Sequence, residues 1–326
     1  MTGFNIAVVG CGKWGMNHVR TAYKLFGERL KYCSDNFAEN EKKVREISDK
    51  IIFNTDLGEI IKDESVRAVI VATPAETHFD ITKKLLEAGK NVLTEKPITL
   101  NSKEAKILND IALKNDLILM VGHLLLFHPA VLKIKEFIEK GRLGKLQYIY
   151  SNRLNLGTVR TEENILWSFA PHDISVIQFF TGDIPSEVKA TGAVFLQKNI
   201  QDTTLTILKF KNNVHAHIYV SWLHPFKEQR LVVIGDNSMM MFEDTLKENK
   251  LKFYPKGFDM VDGHPVKRDL DFENIEFDAS SPLEEEQKHF IDCIENHNTP
   301  RSDGRNAIEV LETLERAQKE LLKDQN

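Results

Sequence analysis

The stretch Phe4–Gly15, which reads FNIAVVGCGKWG, decides the fold class of this chain. An apolar run of β type leads directly into a G-x-G-x-x-G pattern, and the amphipathic segment His18–Phe26 follows it. Gly10 permits a tight turn, Gly12 lets the backbone approach a pyrophosphate, and Gly15 allows a helix to pack closely on the strand. The start of that helix offers free N–H groups and the positive end of its dipole to phosphates. The stretch therefore predicts a strand–turn–helix unit that binds a dinucleotide.

A carboxylate after the next strand strengthens this interpretation. Leu30–Ser34 is predicted to be that strand, and Asp35 follows it at about 20 residues beyond Gly15, the spacing of the dinucleotide pattern. A carboxylate at this place accepts hydrogen bonds from the adenosine ribose and repels a 2′-phosphate. We therefore predict NAD rather than NADP as the cofactor, with Lys13 and Trp14 of the glycine turn among its contacts.

Composition and charge exclude several classes of protein. The chain has 326 residues, of which 42% are hydrophobic and 28% charged, as is typical of a soluble globular protein with two domains. A net charge of −5 without a long basic block gives no support for binding to nucleic acid or to acidic membranes. A strand that begins at Phe4 leaves no room for a signal peptide, and no apolar run reaches the ~18 residues of a membrane span. Cys11, Cys33 and Cys293 are odd in number and lack C-x-x-C spacing, so we expect a protein of the reducing cytoplasm.

Predicted strands alternate with predicted helices as far as Gly122. Beyond the elements above, the strands are Val66–Ala72, Asn91–Thr94 and Leu117–Val121, and Ser102–Lys114 is a helix. This alternation is typical of an α/β fold with a doubly wound parallel sheet, which binds ligands at the carboxyl ends of its strands. The residues expected at those ends are Gly12, Asp35, Thr73, Glu95, Lys96 and His123.

The pattern changes after Gly122, so we predict a first domain at residues 1–122 and a second at residues 123–326. The second part begins with a helix at Ala130–Lys140 and is then dominated by β-type runs. Consecutive strands joined by turns predict an α/β domain with an open, mostly antiparallel sheet. The predicted strands are Leu146–Arg153, Glu187–Val194, Leu205–Phe210, Val214–Trp222, Arg230–Gly235 and Met239–Phe242, with one helix near Pro171–Phe180 and further helices at the chain end.

Glu95-Lys96-Pro97 is the first candidate catalytic site. It follows a predicted strand of the first domain, where the nicotinamide ring of a bound cofactor could lie. A lysine there is a compact cation that can bond a substrate hydroxyl and stabilise the alkoxide that forms as hydride leaves. Pro97 fixes its own φ and stiffens the turn that carries the lysine. We predict Lys96 as a catalytic residue. The cofactor contacts expected around this edge of the sheet are Thr73, Pro74, His78, Glu95, Lys96 and His123.

Trp167–Ile174, which reads WSFAPHDI, is the second candidate. His172 lies near the start of a predicted helix, and histidine titrates close enough to neutrality to transfer protons there. Asp173 points in another direction on the helix and is expected to cap its first turn or to bond a neighbour. The alternative is that His172 is a structural histidine among apolar residues.

Together the motifs resemble the Gfo/Idh/MocA oxidoreductase family over nearly the whole chain. The resemblance implies a Rossmann domain followed by an α/β domain whose open sheet binds substrate and often forms an interface, so a homo-oligomer (dimer or tetramer) is expected. It also implies reversible oxidation of a sugar or polyol hydroxyl, with Lys96 as the catalytic lysine and His172 as the active-site histidine. Many members have an aspartate four residues before that histidine, where this chain has Ser168. The resemblance is carried by the glycine pattern, Thr73-Pro74 with His78, Glu95-Lys96-Pro97, the segment around Pro129–Gly144 and the histidine–aspartate helix.

Finer features resemble a nucleotide-sugar branch of this family. They are Gly122–Pro129, Ser151–Gly157, Glu163–Ser168 and Ser221–Pro225. The branch oxidises C3 of UDP-N-acetylglucosamine and passes the 3-keto sugar to a transaminase in amino-sugar biosynthesis, for lipid A or a surface polysaccharide. A UDP-sugar needs cations for its diphosphate, apolar or aromatic faces for its rings and amides for its hydroxyls. The substrate contacts expected on this basis are Lys96, Arg153, Asn155, Arg160, Asn164, Trp167, Ser168 and His172.

Several alternatives stay open at this level. The substrate could be UDP-N-acetylglucosaminuronic acid, for which an arginine aimed at C6 is expected, or a cyclitol or simple sugar. The fold could also serve a non-catalytic regulator that senses NAD or a sugar. His215 and His217 point to one face of a strand, but no further cluster completes a metal site, so no metal is predicted.

Overall fold

A computed structural model describes residues 3–323, which form two compact units. The first unit consists of residues 3–127 and Ser280–Leu311, and the second of His128–Ala279 and residues 312–323. The chain therefore returns to the first unit near its end, whereas the division expected from the sequence has one boundary after Gly122. That division into a cofactor domain and a substrate domain stays a prediction.

A six-stranded sheet lies at the centre of the first unit. Its strands are β1 (Asn5–Val9), β2 (Leu30–Ser34), β3 (Ile52–Asn54), β4 (Val66–Val71), β5 (Asn91–Glu95) and β6 (Leu119–Gly122). The strand order is β3-β2-β1-β4-β5-β6, and every neighbouring pair is parallel. The direction of winding changes between β1 and β4, which is where such sheets bind ligands. The predicted N-terminal Rossmann sheet is confirmed.

The central strands of this sheet are apolar along nearly their whole length. Residues 6–8 of β1 are fully buried, and so are Val66, Ala68 and Val69 of β4. Strands buried on both faces carry continuous apolar runs rather than alternating ones, which is the pattern seen here. Because β1 is a central strand that ends at Val9, Gly10 and the turn after it lie in the middle of the carboxyl edge of the sheet.

Helices join the strands of the first unit and complete both units. Ser102–Lys114, predicted from its periodicity, is a helix with those bounds, and the Asn101 side chain caps it by accepting the Glu104 N–H at 3.0 Å. Across residues 3–323, no helix is both long enough and apolar enough to cross a membrane. In chain order the helices are α1 (Gly15–Phe26), α2 (Asn40–Arg45), α3 (Gly58–Lys62), α4 (His78–Glu87), α5 (Ser102–Lys114), α6 (Pro129–Glu139), α7 (Ile165–Thr181), α8 (Pro282–Asn296) and α9 (Gly304–Lys323).

The outer edge of β6 is covered by residues from the end of the chain. The Val121 N–H donates to the Ser302 carbonyl at 2.8 Å, and the Ser302 hydroxyl donates to the Val121 carbonyl at 2.7 Å. Met120 also forms an antiparallel bridge with Asp303. The segment between α8 and α9 therefore satisfies backbone groups that a free edge strand would leave open.

The second unit contains a mixed, mostly antiparallel sheet, as predicted. Its order is β16-β13-β12-β11-β7-β10-β9-β8; β7 and β10 are parallel, and the other neighbouring pairs are antiparallel. A separate hairpin joins β14 to β15. The strands are β7 (Leu146–Leu156), β8 (Glu187–Ala193), β9 (Thr203–Lys209), β10 (His215–Ser221), β11 (Leu223–Gly235), β12 (Met239–Glu243), β13 (Leu251–Tyr254), β14 (Lys256–Val261), β15 (His264–Asp269) and β16 (Glu273–Asn274).

Helix α7 packs on one face of this sheet, against β7 and β10. It begins at Ile165, whereas the sequence predicts a helix from about Pro171. The Asn164 side chain accepts the Trp167 N–H at 3.2 Å and so caps a helix that begins at Ile165, well before Pro171. Pro171 lies inside the helix, where its missing N–H leaves out one main-chain hydrogen bond.

The strands β13–β16 were not predicted. Most residues of β14 and β15 are exposed, and β16 has two residues, both exposed. These three strands have no buried face, whereas β13 buries Leu251 and Phe253 in alternation, a short signal that the sequence analysis missed.

Candidate functional site

The turn after β1 has a backbone that only glycine fits at two of its positions. Gly10 has a φ of 94°, and a Cβ there would lie 2.6 Å from the carbonyl atoms of Ala72. A Cβ on Gly15 would lie 1.9 Å from the Gly10 oxygen, so the helix can approach the turn only with glycine at this place. Beside Gly12 there is open space, with no atom within 4 Å of a built Cβ among the described residues.

Helix α1 begins directly after this turn. Trp14 is its N-cap residue, and no side chain of the described residues caps the helix. Lys13 and Trp14 are both exposed. The Met16 and Asn17 N–H groups already donate to the Gly12 and Trp14 carbonyls at 2.9 Å, so the attraction for an anion comes from the positive end of the helix dipole, and glycine lets the anion come close. This turn therefore fits the pyrophosphate of a dinucleotide, as the sequence predicts.

Asp35 lies beside the glycine turn, at the carboxyl end of β2. Its Oδ2 accepts the Cys11 N–H at 2.6 Å, and its Oδ1 accepts the Phe37 N–H at 2.9 Å. The two hydrogen bonds fix the carboxylate next to the turn while the side chain stays partly exposed. A carboxylate held there can accept hydrogen bonds from the adenosine ribose, so the residues present fit NAD.

His78 joins the turn after β4 to the turn after β5. Its Nε2 lies 2.8 Å from the Thr73 carbonyl and its Nδ1 lies 2.7 Å from the Pro97 carbonyl, with 1% of the residue exposed. The Thr77 hydroxyl also donates to the Thr73 hydroxyl at 2.7 Å, across Pro74. Each ring nitrogen of His78 thus lies within hydrogen-bond distance of a main-chain oxygen, and the ring, which donates from at least one of them, lies between two turns and connects them.

Lys96 follows β5, in the turn that His78 holds at Pro97. The Lys96–Pro97 peptide is cis, and the Lys96 side chain is partly exposed. Its positive charge lowers the pKa of both neighbouring groups, Glu95 and His123. The lysine is therefore placed at the carboxyl edge of the sheet, on the same edge as the glycine turn, where an ammonium can stabilise an oxyanion.

Glu95 accepts hydrogen bonds from α1. Its Oε1 lies 2.6 Å from the Trp14 Nε1 and 2.8 Å from the His18 Nε2, and its Oε2 accepts the Lys96 N–H at 3.1 Å. Burial acts to raise the pKa of the Glu95 carboxyl, but the hydrogen bonds from His18 and Trp14 and the charge of Lys96 hold it below its usual value. The carboxylate is therefore ionised at neutral pH.

His123 follows β6 and is 3% exposed. Burial, with the charge of Lys96, lowers the pKa of His123 to about 4. The imidazole is therefore neutral at neutral pH, and its Nδ1 has no hydrogen-bond partner among residues 3–323.

In the second unit, the residues predicted at the start of α7 bind one another. The Asn164 Nδ2 donates to the Gln201 Oε1 at 2.9 Å and to the Gln318 Oε1 at 2.8 Å. The Trp167 Nε1 donates to the same Gln318 oxygen at 3.1 Å. The structure thus brings Asn164 and Trp167 together, with their polar groups engaged in fixing the start of the helix, and their role as substrate contacts stays a prediction.

Arg153 forms a buried ion pair with Asp173. Asp173 is 3% exposed, and its carboxylate also accepts the Ser151 hydroxyl at 2.6 Å. Burial acts to lower the pKa of Arg153, but the charge and hydrogen bonds of Asp173 raise it above the usual value. Asp173 therefore fastens α7 to β7, which is the expected bond to a neighbour. The other alternative, that it caps the first turn of the helix, is wrong because the helix begins eight residues earlier.

His172 and Ser168 lie four residues apart on α7 and so share a face of the helix. Ser168 is buried, His172 is partly exposed, and the His172 carbonyl accepts the Ser175 hydroxyl at 2.8 Å. The sequence places His172 near a helix start, but it is well inside α7. The chain thus has a hydroxyl at the position where many family members have a carboxylate.

Arg160 and Asn155 lie in and before the loop that leads to α7. The Arg160 Nη1 lies 3.4 Å from the Glu162 Oε1, and its Nε lies 3.3 Å from the Glu163 Oε1. Its side chain is 51% exposed, so this is a surface charge already paired with carboxylates. The Asn155 Oδ1 is buried without a hydrogen-bond partner in the described part of the chain.

His215 and His217 share a face of β10, as their spacing predicts, but His217 is bound by aromatic residues. Its Nδ1 bonds the Tyr148 hydroxyl, and its ring stacks on Tyr150 with centroids 5.2 Å apart. Burial lowers the pKa of His217. Within residues 3–323, no group of three or more His, Cys, Asp or Glu side chains could hold a metal ion.

Sequence reasoning missed the partners of Glu95. His18 lies four residues after Trp14, one turn along α1, and this helical spacing was a signal that could have found it. Gln287 and Glu286 lie on α8, and the Gln287 Nε2 contacts the His18 Nδ1 at 3.2 Å. Gln287 is 269 residues from His18 in sequence, so no local sequence pattern indicated the contact.

Comparison with known proteins agrees with this architecture. Residues 4–123 match the model described as "Oxidoreductase family, NAD-binding Rossmann fold", and residues 131–241 match the "GFO/IDH/MocA C-terminal domain". The chain is 24% identical to UDP-N-acetylglucosamine 3-dehydrogenase of Acidithiobacillus ferrooxidans over 298 residues, which cover 91% of this chain and 90% of that protein. It is 25% identical to scyllo-inositol 2-dehydrogenase (NAD(+)) of Bacillus subtilis over 308 residues, which cover 90% and 87% of the two chains.

A solved structure shows the same fold. The crystallised UDP-N-acetylglucosamine 3-dehydrogenase of Acidithiobacillus ferrooxidans superposes with a TM-score of 0.85 over 98% of each chain, at 23% identity. Both parts of the chain match models of one family, and the first part matches that family's NAD-binding domain. The chain therefore belongs to the Gfo/Idh/MocA family of NAD-dependent oxidoreductases.

Proposed function

We propose that this protein oxidises the 3-hydroxyl of UDP-N-acetylglucosamine to the 3-keto nucleotide sugar, with NAD as the hydride acceptor. The observation that carries the proposal is the position of Lys96 and the way its turn is held. Its turn is held by His78 on one side and by Glu95 on the other, at the edge of an NAD-binding sheet. The choice of substrate is supported by similarity to UDP-N-acetylglucosamine 3-dehydrogenase along nine-tenths of both chains.

Two side chains supply the acid–base chemistry in this proposal. The glycine turn and Asp35 would hold NAD, which would supply the acceptor for the hydride that leaves C3 of the sugar. The Lys96 ammonium donates a hydrogen bond to the 3-hydroxyl oxygen and stabilises the negative charge that develops there. His172 accepts the hydroxyl proton. The products are the 3-keto sugar, NADH and one proton, which leaves through His172.

The charges of the second unit support a neutral sugar over the uronate. A uronic acid carries a carboxylate on C6 and needs a cation to receive it. Arg153 is neutralised by Asp173 at 3.0 Å, and Arg160 is paired with Glu162 and Glu163. Each predicted arginine already has a carboxylate partner, so neither is an uncompensated cation for the uronate.

Oxidation of a cyclitol is the second candidate. It is favoured by the similarity to scyllo-inositol 2-dehydrogenase, which has nearly the same extent and identity as the similarity to the nucleotide-sugar enzyme. The two candidates differ in the diphosphate and uridine, which a free cyclitol lacks. They are therefore separated by comparing substrates with and without the nucleotide.

The test is NADH formation by the purified protein with NAD and four substrates. These are UDP-N-acetylglucosamine, UDP-N-acetylglucosaminuronic acid, free N-acetylglucosamine and scyllo-inositol, each with and without a transaminase and glutamate to remove the keto product. Activity with the first alone supports the proposal. Activity with the uronate alone or with scyllo-inositol alone would identify that compound as the substrate instead. NAD binding without turnover of any substrate supports a sensor.

We further propose that a transaminase consumes the product and that the protein works as a homo-oligomer through its second sheet. Ser151 and Arg153 of β7 face α7, so Tyr148 and Tyr150 lie on the opposite face. There Tyr150 lies in register with His217, and His217 with Ile207, which is 45% exposed. Light scattering should show a dimer or tetramer, and Ile207→Arg should reduce it to a smaller species. A monomeric wild-type protein would contradict this part of the proposal.

A further inference from the structure

Three of the roughly four acceptor sites of the Glu95 carboxylate are occupied by groups of the protein. Its Oε1 receives the Trp14 Nε1–H at 2.6 Å and the His18 Nε2 at 2.8 Å, while its Oε2 receives the N–H of Lys96 at 3.1 Å. Only 13% of its side chain is exposed. A carboxylate with several donors in place has little capacity left for a ligand hydroxyl.

The neighbouring strand leaves room for this carboxylate. Gly122 of β6 pairs with Glu95 of β5 in the parallel register. A Cβ on Gly122 would lie 3.0 Å from the Glu95 Cδ and Oε2, which is closer than a side chain tolerates without a shift. Glycine at position 122 therefore leaves the space that the Glu95 carboxylate occupies when it accepts these hydrogen bonds.

Gln287 of α8 determines which nitrogen of His18 carries the hydrogen. The Gln287 Nε2 lies 3.2 Å from the His18 carbonyl and 3.2 Å from the His18 Nδ1. A carbonyl only accepts, so the amide must present its nitrogen, and that N–H group is the donor toward Nδ1. The ring hydrogen is therefore on Nε2, where it points at Glu95.

The other titratable groups around Glu95 add no second negative charge. Glu286 of α8 is buried, and neither of its oxygens has a hydrogen-bond partner within residues 3–323. Burial and the charge of Glu95 raise the pKa of Glu286 well above its usual value, which favours its neutral form. His123 is neutral at neutral pH, and His18 and Lys96 face Glu95 from α1 and from its own turn. In this cluster, Glu95 therefore carries the negative charge beside Lys96.

We propose that Glu95 is a positioning residue for Lys96 rather than a contact of the cofactor. Its carboxylate ties the turn that carries the lysine to the first turns of α1 and keeps a negative charge next to the ammonium. Trp14 belongs to the turn that fits the pyrophosphate. Its hydrogen bond to Glu95 therefore connects the dinucleotide-binding turn to the turn that carries the lysine. This inference rests on the catalytic role proposed for Lys96.

The test compares Glu95→Gln, which removes the charge and keeps the size, with Trp14→Phe, which removes one donor and keeps the ring. Glu284→Gln is the matched control, because Glu284 is another paired carboxylate of the first unit, bound to the exposed Lys24. Three quantities are measured on the full chain. They are the NAD dissociation constant, the pH profile of kcat, and the rate at which an amine-reactive anhydride modifies Lys96, followed by mass spectrometry against pH.

We expect Glu95→Gln to lower kcat by about 10-fold to 100-fold, the cost of a misplaced catalytic group. The NAD dissociation constant should stay within about threefold, which is a small difference in binding free energy. Without the negative charge, Lys96 should lose its proton at lower pH, so its modification should begin at lower pH. Trp14→Phe should change kcat in the same direction by less, and Glu284→Gln should change none of the three.

Two results would overturn the inference. The first is weaker NAD binding with kcat and lysine modification unchanged, since that identifies Glu95 as a cofactor contact. The second is a wild-type profile in all three measurements. If Glu95→Gln fails to fold, Trp14→Phe decides by kcat at saturating NAD alone, where a lowered kcat supports the inference and an unchanged kcat overturns it. A wild-type protein that oxidises no substrate refutes the proposed function, while the lysine modification still tests the role of Glu95.

Discussion

Arg153 and Asp173 form an ion pair in which the guanidinium Nε and Nη2 lie 3.0 and 3.1 Å from the two carboxylate oxygens. The pair connects β7 to α7, the helix that carries His172. Because both groups are largely withdrawn from water, removal of one leaves an uncompensated buried charge.

We expect Arg153→Met to destabilise the protein by about 3–5 kcal/mol, because Asp173 then remains buried and unpaired. Changing both residues, with Asp173→Leu added, should recover most of that loss. Urea unfolding of the two single variants and the double variant measures the coupling. If the double variant lost the sum of the unfolding free energies lost by the two single variants, the two residues would not stabilise the protein as a pair.

Asp35 should determine the choice between NAD and NADP. Asp35→Ser removes the carboxylate that is fixed beside the glycine turn and with it the repulsion of a 2′-phosphate. The preference for NAD over NADP in kcat/KM should fall by about tenfold or more, equivalent to ~1.4 kcal/mol. Steady-state kinetics with both cofactors measures this, and an unchanged ratio would remove Asp35 from the cofactor site.

His78 should matter for turnover more than for stability. His78→Phe fills the space but removes both bonds, to Thr73 and Pro97, and so frees the turn that carries Lys96. A shift of that turn should lower kcat on the order of 10-fold to 100-fold. Thr82→Val is the matched control, since it removes a buried hydrogen bond of the same helix to Thr94 and leaves both turns in place. If Thr82→Val lowered kcat as much as His78→Phe, the proposed role of His78 in connecting the two turns would be contradicted.

His123 should make stability depend on pH between its two pKa values. In the unfolded chain it takes up a proton near pH 6.5, whereas in the folded protein it does so near pH 4. Between these values the unfolded state binds more protons, so the contribution of His123 is complete above pH 6.5 and is lost as the pH falls toward 4. The loss is about 3 kcal/mol over the whole window. Unfolding measured across this range should show it in the wild type and not in His123→Gln.

Ser168→Asp should move the acid limb of the kcat/KM profile to higher pH. A carboxylate one turn from His172 stabilises the imidazolium, which cannot accept a proton from substrate. Ser168→Asn has nearly the same size without the charge and should leave the limb where it is. An equal shift in both variants would mean that packing rather than charge is responsible.

Short-range signals predicted the parts of the site that depend on the local backbone. Gly10 needs a positive φ and Gly15 meets the Gly10 oxygen, so their spacing alone indicated the turn. The start of α7 was misplaced because proline favours the first turn of a helix, while the capping residue Asn164 came earlier. Gln287 could not be predicted, because its contact with His18 spans 269 residues and leaves no pattern in either segment.

The hydrogen bond from Ser302 to Val121 spans 181 residues, and it has a consequence for synthesis of the chain. When β6 leaves the ribosome, the residues that cover its edge have not yet been translated. At ~5–20 residues per second, about 10–40 s pass before they emerge. During that interval the nascent first sheet presents an open strand edge, a template for pairing with other chains. Translation speed and chaperone access over this interval should therefore govern the yield of folded protein.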